Sequence, residues 1–484
     1  MTDLNHSVGT TADEAGDVAE RYRWIALSVV FVGTLMVVLD TTIVNVALPK
    51  IRDDLRAGDG IEWVVTGYLL AVAASQPATG WLADRYGRKR IFLTSLALFT
   101  AASLCCGLSP NLTVLVVFRV VQGLGGGAMV PVGMAIVFEV FPPERRGQAI
   151  GVWGVSAMAG PAVGPTLGGY LVTAVSWHWL FLVNVPVGVV GFVMGSRLLQ
   201  DSGHRLRRPL DGFGLALGAG GLSLALLGIT QSTHWGWGSV RTLGAVVAGT
   251  AMLVSFALHE VRIPQPIVEL RMFRNATFSI AMTVAFFSSA AQYTRLVFVP
   301  LELEGLRGYT ALRVGVLLIP AALATAVAMP IGGRIVDRLG ARIPITVGCT
   351  MMGSALLLMS RLTIHAPIGA LVVLLCLQGF GMGLSTAPAT VAAMNSLEAS
   401  FLAQGSALRS LTNQVAGAVA VAVLSTLVAH RMGASPSIQR QQSAYNSAFL
   451  VAAAGVAVSA LLALRLPRNE RARVPDTHAA ALAE

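Results

Sequence analysis

The chain has 484 residues, 55% of them hydrophobic and 12% charged, with a mean hydropathy of +0.70 and a formal net charge of +10. Soluble domains carry about 25% charged residues, so water is excluded as this protein's main solvent. The excess positive charge lies in short segments between apolar runs, which argues against a nucleic-acid patch and for a membrane topology.

The first 23 residues are polar, with no apolar core of a cleavable signal peptide; they read as a disordered cytoplasmic tail. From Trp24 onward, stretches of roughly 20 apolar residues recur, each long enough to cross a bilayer. Fourteen are expected. A first set covers residues 24–200, a pair lies within 212–259, a second set covers 277–466, and 467–484 form a second tail. With both ends in the cytoplasm, 22 Lys and Arg fall in inner segments and 9 in outer ones, as the positive-inside rule requires. Trp177, Trp179, Trp235 and Trp237 fall at expected outer boundaries, where an aromatic belt would sit. The expected class is an all-α integral membrane protein in the cytoplasmic (inner) membrane of a prokaryote. Its bilayer contacts are lipid, and it is expected as a monomer.

Span 1 carries Asp40 within an apolar stretch. An Asp at the centre of a span costs about 2.5–3.5 kcal/mol, so it needs a partner or a purpose. Arg119 in span 4 is the expected partner, since both lie about 10–12 Å below the outer surface at about 1.5 Å per residue. Two readings follow: a static ion pair that fixes spans 1 and 4, or a proton carrier whose hold on the proton changes with its distance from Arg119. Glu62, at the start of span 2, and Glu302, at the end of span 9, are shallower candidates for the same task.

After span 2 comes GWLADRYGRKR, containing Gly80, Asp84, Arg85, Gly87 and Arg88. After span 10 comes GRIVDRLGAR, containing Asp337 and Arg338. The shared pattern Gly-x-x-x-Asp-Arg-x-Gly repeats at an offset of 253 residues, and QGLGGGA from Gln122 repeats as QGFGMGL from Gln378 at an offset of 256. Two landmarks in one order point to a duplicated six-span unit, with spans 7 and 8 inserted as a peripheral linker hairpin. Parallel repeats of this kind, with a site between the halves, are a transporter architecture. The second half does not copy the charge pair: the position matching Arg119 is Leu375, and the one matching Asp40 falls near Tyr293. Asn45, Gln122, Gln292, Tyr293, Gln378 and Asn413 are the candidates for lining a cavity, and Arg295 either joins them or snorkels to the surface.

These stretches, with LDTTIVNVALP at residues 39–49, RVVQG at 119–123 and GPAVGPTLGG at 160–169, resemble the major facilitator superfamily, in particular its fourteen-span drug:proton antiporter branch. The resemblance extends from Trp24 to about Leu466. It implies two six-helix bundles, alternating access, and export of small drug-like or antibiotic molecules against a proton gradient. It implies that Asp84 and Asp337 cap helix N-termini, at the starts of spans 13 and 5, and so act on an inner gate; plain turn chemistry is the alternative. It implies that Gly160, Pro161, Gly164, Pro165, Gly168 and Gly169 form an antiporter-motif helix. Its glycines share one face, expected to meet span 10, whereas simple tight packing would use the same residues.

Export of a lipid or envelope precursor would use the same fold, and a membrane sensor is a non-transport alternative. An enzyme is not expected, because the eight histidines form no cluster at one depth. The glycine run at 123–127 is followed by no Gly-Lys-Ser/Thr, so no ATP site is expected. No cofactor, metal or nucleic acid is expected either. The four cysteines lack metal-ligand spacing and read as reduced.

Overall fold

The computed structural model describes residues 4–201, 209–236, 238–432 and 437–467. The expected C-terminal tail from residue 468 and Trp237 lie outside the described residues, as do the side chains of residues 4–16, Pro161 and Pro165. The described chain is helical throughout. The long helices are α1 (Leu4–Asp54), α2 (Trp63–Tyr86), α3 (Arg88–Gly107), α4 (Leu112–Val140), α5 (Arg146–Ala174), α6 (Asn184–Leu198) and α7 (Gly212–Thr230). They continue as α8 (Val240–Arg262), α9 (Ala276–Arg307), α10 (Ala311–Leu339), α11 (Arg342–Met359), α12 (Ile368–Asn395), α13 (Leu402–Met432) and α14 (Ile438–Ala463).

Eleven of the described helices are long and apolar enough to cross a membrane. The other three, α2, α5 and α9, are as long but less apolar. They carry Gln76 and Thr79, the glycine series, and Gln292 with Arg295, respectively.

Helix α1 begins at Leu4, not near Trp24, which corrects the expectation of a disordered N-terminal tail. The segment TADEAGDVAERYR is rich in Ala, Glu and Arg, good helix formers, and it extends a helix that the span has already nucleated.

By internal contacts the chain divides into two units. One contains residues 1–141, 155–271 and 399–426; the other contains residues 142–154, 272–398 and 427–484. In the first unit α4 packs against α1, α2 and α3, and α6 packs against α1 and α3. In the second, α12 packs against α9, α10 and α11, and α14 packs against α9 and α11. The same five pairings recur, as the duplicated sequence landmarks require. The hairpin α7–α8 belongs to the first unit, with α7 on α2 and Ser223 Oγ donating to the Leu70 carbonyl at 3.5 Å. Helix α8 turns Val240, Leu243, Val247, Val254 and Leu258 outward, an apolar face suited to lipid.

The turn between α2 and α3 is made by Gly87, with φ +93°, and its repeat partner Gly340 makes the turn between α10 and α11, with φ +79°. Both conformations are readily reached by glycine alone, so the loop signature recurs as the same bend. Trp177 departs from its expected place in an aromatic belt. It is 1% exposed, stacked on His178 and edge-on to Phe181, in a cluster with Ile43, Ile61 and Leu115. The short turn after α5 folds its side chain inward, while Trp179 stays half exposed.

Candidate functional site

Asp40 and Arg119 meet in the interior of the first unit, each 1% exposed. Arg119 Nη1 donates to Asp40 Oδ2 at 2.5 Å. The other oxygen, Oδ1, accepts from Gln122 Nε2 at 2.9 Å and from Asn184 Nδ2 at 3.2 Å. Gln122 lies one helical turn after Arg119 on α4, so one face of that helix delivers both groups. Its Oε1 also accepts from Arg119 Nη1 at 2.9 Å. Asn184 is the first residue of α6. Pro186 fits that first turn, where no backbone donor is needed, and Asn184 also donates to Ser103 Oγ at 3.1 Å.

Arg119 is held on its remaining sides. Its Nε donates to the Val64 carbonyl at 3.0 Å, and its guanidinium lies 4.1 Å from the ring centre of Tyr68, within cation–π range. The charge pair is therefore enclosed by α1, α2, α4 and α6. A buried ion pair is favourable only when its remaining polar valences are satisfied, and here three side-chain donors cover both oxygens of Asp40.

The shallower acids sit in different surroundings. Glu62 is half-buried and pairs with His234 from the α7–α8 connection. Glu302 is buried and accepts from Gln442 Nε2 of α14 at 3.3 Å. Among the cavity-lining candidates, Gln122 and Gln378 are fully buried, Gln292, Tyr293 and Asn413 are half-buried, and Asn45 is exposed. Gln122 is thus a member of the charge network instead of a cavity wall.

In the last turn of α2, Asp84 Oδ2 accepts from Gln404 Nε2, near the start of α13, at 3.3 Å. Arg88 is buried, paired with Glu139 at 2.9 Å, and donates to the Ala399 carbonyl at 3.0 Å. A Cβ on Gly80 would lie 3.0 Å from Gln404 Cα, so any larger residue would push the two helices slightly apart. Arg85 is exposed and lies over Trp81 at 5.3 Å. In the second unit, Asp337 accepts from the backbone amides of Gly147 and Gln148 at 2.8 Å each. These are free first-turn donors of α5, and an anion there also meets the positive end of the helix dipole. Arg338 beside it is exposed. Arg146 donates to Asn395 Oδ1 at 2.7 Å, and burial lowers its guanidinium below the usual arginine range.

Helix α5 carries two glycine series with different neighbours, which corrects the expected partner of the antiporter-motif face. Gly160, Gly164 and Gly168 pack on Val38, Thr42 and Ile43 of α1, and Thr42 Oγ1 donates to the Gly160 carbonyl at 3.2 Å. The residues that approach α10 lie earlier: Gly151 and Gly154 against Met329, and Gly147 against Gly333. The spacing of four residues identified a packing face but not which helix covers it. Gly169 faces open space.

The family model of the Major Facilitator Superfamily matches residues 30–363 and 281–483. The chain belongs to the major facilitator superfamily. It is therefore a multi-pass membrane transporter and not an enzyme. Within the superfamily it is 34% identical over 412 residues to the tetracenomycin C resistance and export protein of Streptomyces glaucescens, covering 85% of this chain and 77% of that one. It is 33% identical to a multidrug resistance protein B homolog of Mycobacterium tuberculosis, covering 84% and 76%. A human organic anion transporter of known structure superposes with a TM-score of 0.65 at 16% identity, over 91% of this chain and 99% of that one; this likeness concerns the superfamily fold.

Asn184, Tyr68, Ser103 and Gln404 were not singled out in the sequence. Asn184 alone left a trace there, as an amide side chain within an apolar run two residues before Pro186.

Proposed function

We propose that this superfamily member is a proton-driven exporter of small amphipathic drugs or antibiotics. In this reading it works by alternating access, with fourteen spans and both termini in the cytoplasm, as a monomer in the cytoplasmic membrane. The proton gradient is its energy source, with no cofactor, metal or ATP. The names of its relatives support the cargo class, and the observation that carries the reading is the enclosed Asp40–Arg119 pair.

Both oxygens of Asp40 are occupied by donors. Three of the roughly four lone-pair sites of the carboxylate are taken by Arg119, Gln122 and Asn184; a proton that joins it weakens the hold of Arg119, so proton uptake favours a shift of α4 or α6. Release toward the cytoplasm restores the pair. The contacts of Asp84 with Gln404, and of Asp337 with the first turn of α5, hold the inner side closed in this scheme and break when it opens.

The test has two arms. An efflux-deficient host expressing the protein is profiled for resistance to cationic dyes and neutral antibiotics. Purified protein is then assayed for proton release on adding a compound that scores. Resistance that vanishes on collapse of the proton gradient, with release lost in Asp40→Asn, is expected. Equal release from wild type and Asp40→Asn would move coupling to another acid, Glu62 or Glu302.

A further inference from the structure

The chain buries a second guanidinium as deeply as the one in the charge pair, and treats it differently. Arg295, on α9 in the second unit, is 4% exposed, yet its Nη1 has no hydrogen-bond partner among the described residues. Arg119, at 1%, has Asp40, Gln122, the Val64 carbonyl and the Tyr68 ring. A guanidinium stays charged in a protein interior, and an uncompensated buried charge is strongly destabilising. Such a group calls for an explanation, and a functional role is one of the recurring ones.

The internal repeat shows what distinguishes this place. In the first unit Gln122 accepts from the arginine and donates to the carboxylate. Its repeat partner Gln378 donates Nε2 to the Ala291 carbonyl at 3.1 Å, and its Oε1 has no donor among the described residues. Ala291 lies one helical turn before Arg295, about 6 Å along the axis. The second unit thus keeps a cation and an amide on its own repeat of these helices, and among the described residues no printed contact gives Arg295 a carboxylate. The nearest described acid on the same face of α9, Glu302, is seven residues away. At about 10 Å along the axis it is too far to neutralise Arg295, and it is engaged by Gln442.

We propose that Arg295 binds an ionised oxygen of the exported molecule, with Gln378 Oε1 accepting from a hydroxyl or N–H of the same molecule. The cargo class is then an organic anion that also carries a hydroxyl or N–H, not a lipophilic cation. This rests on the exporter reading for the word "exported", but not for the binding itself.

Fluorescein and rhodamine 6G share a ring system and differ in charge, anionic against cationic. Purified full-length protein in lipid nanodiscs is titrated with each dye, for wild type, Arg295→Gln and Arg295→Lys, with thermal unfolding of the dye-free proteins in parallel. Fluorescein binding should fall at least about tenfold in Arg295→Gln, the scale of a lost charge-assisted hydrogen bond. Arg295→Lys should retain part of it, and rhodamine 6G binding should not fall. Dye-free Arg295→Gln should unfold no earlier than wild type, since it removes an uncompensated charge. Fluorescein that binds wild type and Arg295→Gln equally, or fails to bind wild type, overturns the proposal. So does a destabilised dye-free Arg295→Gln, which would make the arginine structural. Efflux from cells is scored separately. Arg295-dependent fluorescein binding without gradient-driven efflux would defeat the exporter reading and leave the site standing.

Discussion

Asn184, at the head of α6, donates to the same oxygen of Asp40 that accepts from Gln122, at 3.2 and 2.9 Å. Two helices therefore converge on one lone-pair region of one carboxylate, while Arg119 holds the other oxygen.

Asn184→Leu keeps the volume and removes that donor. It should cost about 1–3 kcal/mol, the penalty of an unmet buried polar group, read as earlier thermal unfolding in detergent. Gradient-driven efflux should fall with it. Unchanged unfolding and efflux together would show that Asn184 only fills space.

The charge pair separates stability from function. Arg119→Ala leaves Asp40 buried without its countercharge and should lose about 3–5 kcal/mol. The double variant Asp40→Asn with Arg119→Gln removes both charges and should regain most of that loss. It should still show no proton-driven transport. A double variant that folds and pumps normally would establish the static reading of the pair.

Asp337→Asn weakens a cap that takes two amides of α5, and Asp84→Asn weakens the hold on Gln404. Each should reduce transport strongly while expression and folding persist, because an N-terminal cap is worth only about 0.5–2 kcal/mol. Cysteine-accessibility labelling from the cytoplasmic side should increase in both. Unaltered labelling would remove the gate role.

The glycines of α5 should differ sharply in tolerance. A Cβ on Gly160 would stand 2.8 Å from the Val38 carbonyl oxygen, so Gly160→Leu should displace α1 and cost about 1–3 kcal/mol or more. Gly169→Ala meets nothing within 4 Å and should be silent. The yield of folded protein on size exclusion distinguishes the two.

Much of this was legible in the sequence because the bilayer imposes simple rules. Apolar runs marked the helices, two repeated landmarks revealed the duplicated unit, and an Asp and an Arg at matching depth were each other's natural partner. What stayed hidden depended on helix rotation and neighbour choice. Periodicity placed Gly160, Gly164 and Gly168 on one face but could not choose between α1 and α10. Asn184 and Tyr68 look ordinary in their segments, and only packing brings them against Asp40 and Arg119. Trp177 obeyed the rule for an interfacial residue by position and broke it because a local turn folds it inward.

The enclosure of Asp40 also bears on what happens when no cargo is present. Protons cross a membrane protein along chains of mobile dipoles, such as waters or hydroxyls that can both give and take. The groups bonded directly to Asp40 are two amide nitrogens and a guanidinium, which can only give. In the proposed cycle these donors offer the acid deep in span 1 no direct relay, so a cargo-free transporter would not dissipate the gradient that the proposal makes its driving force.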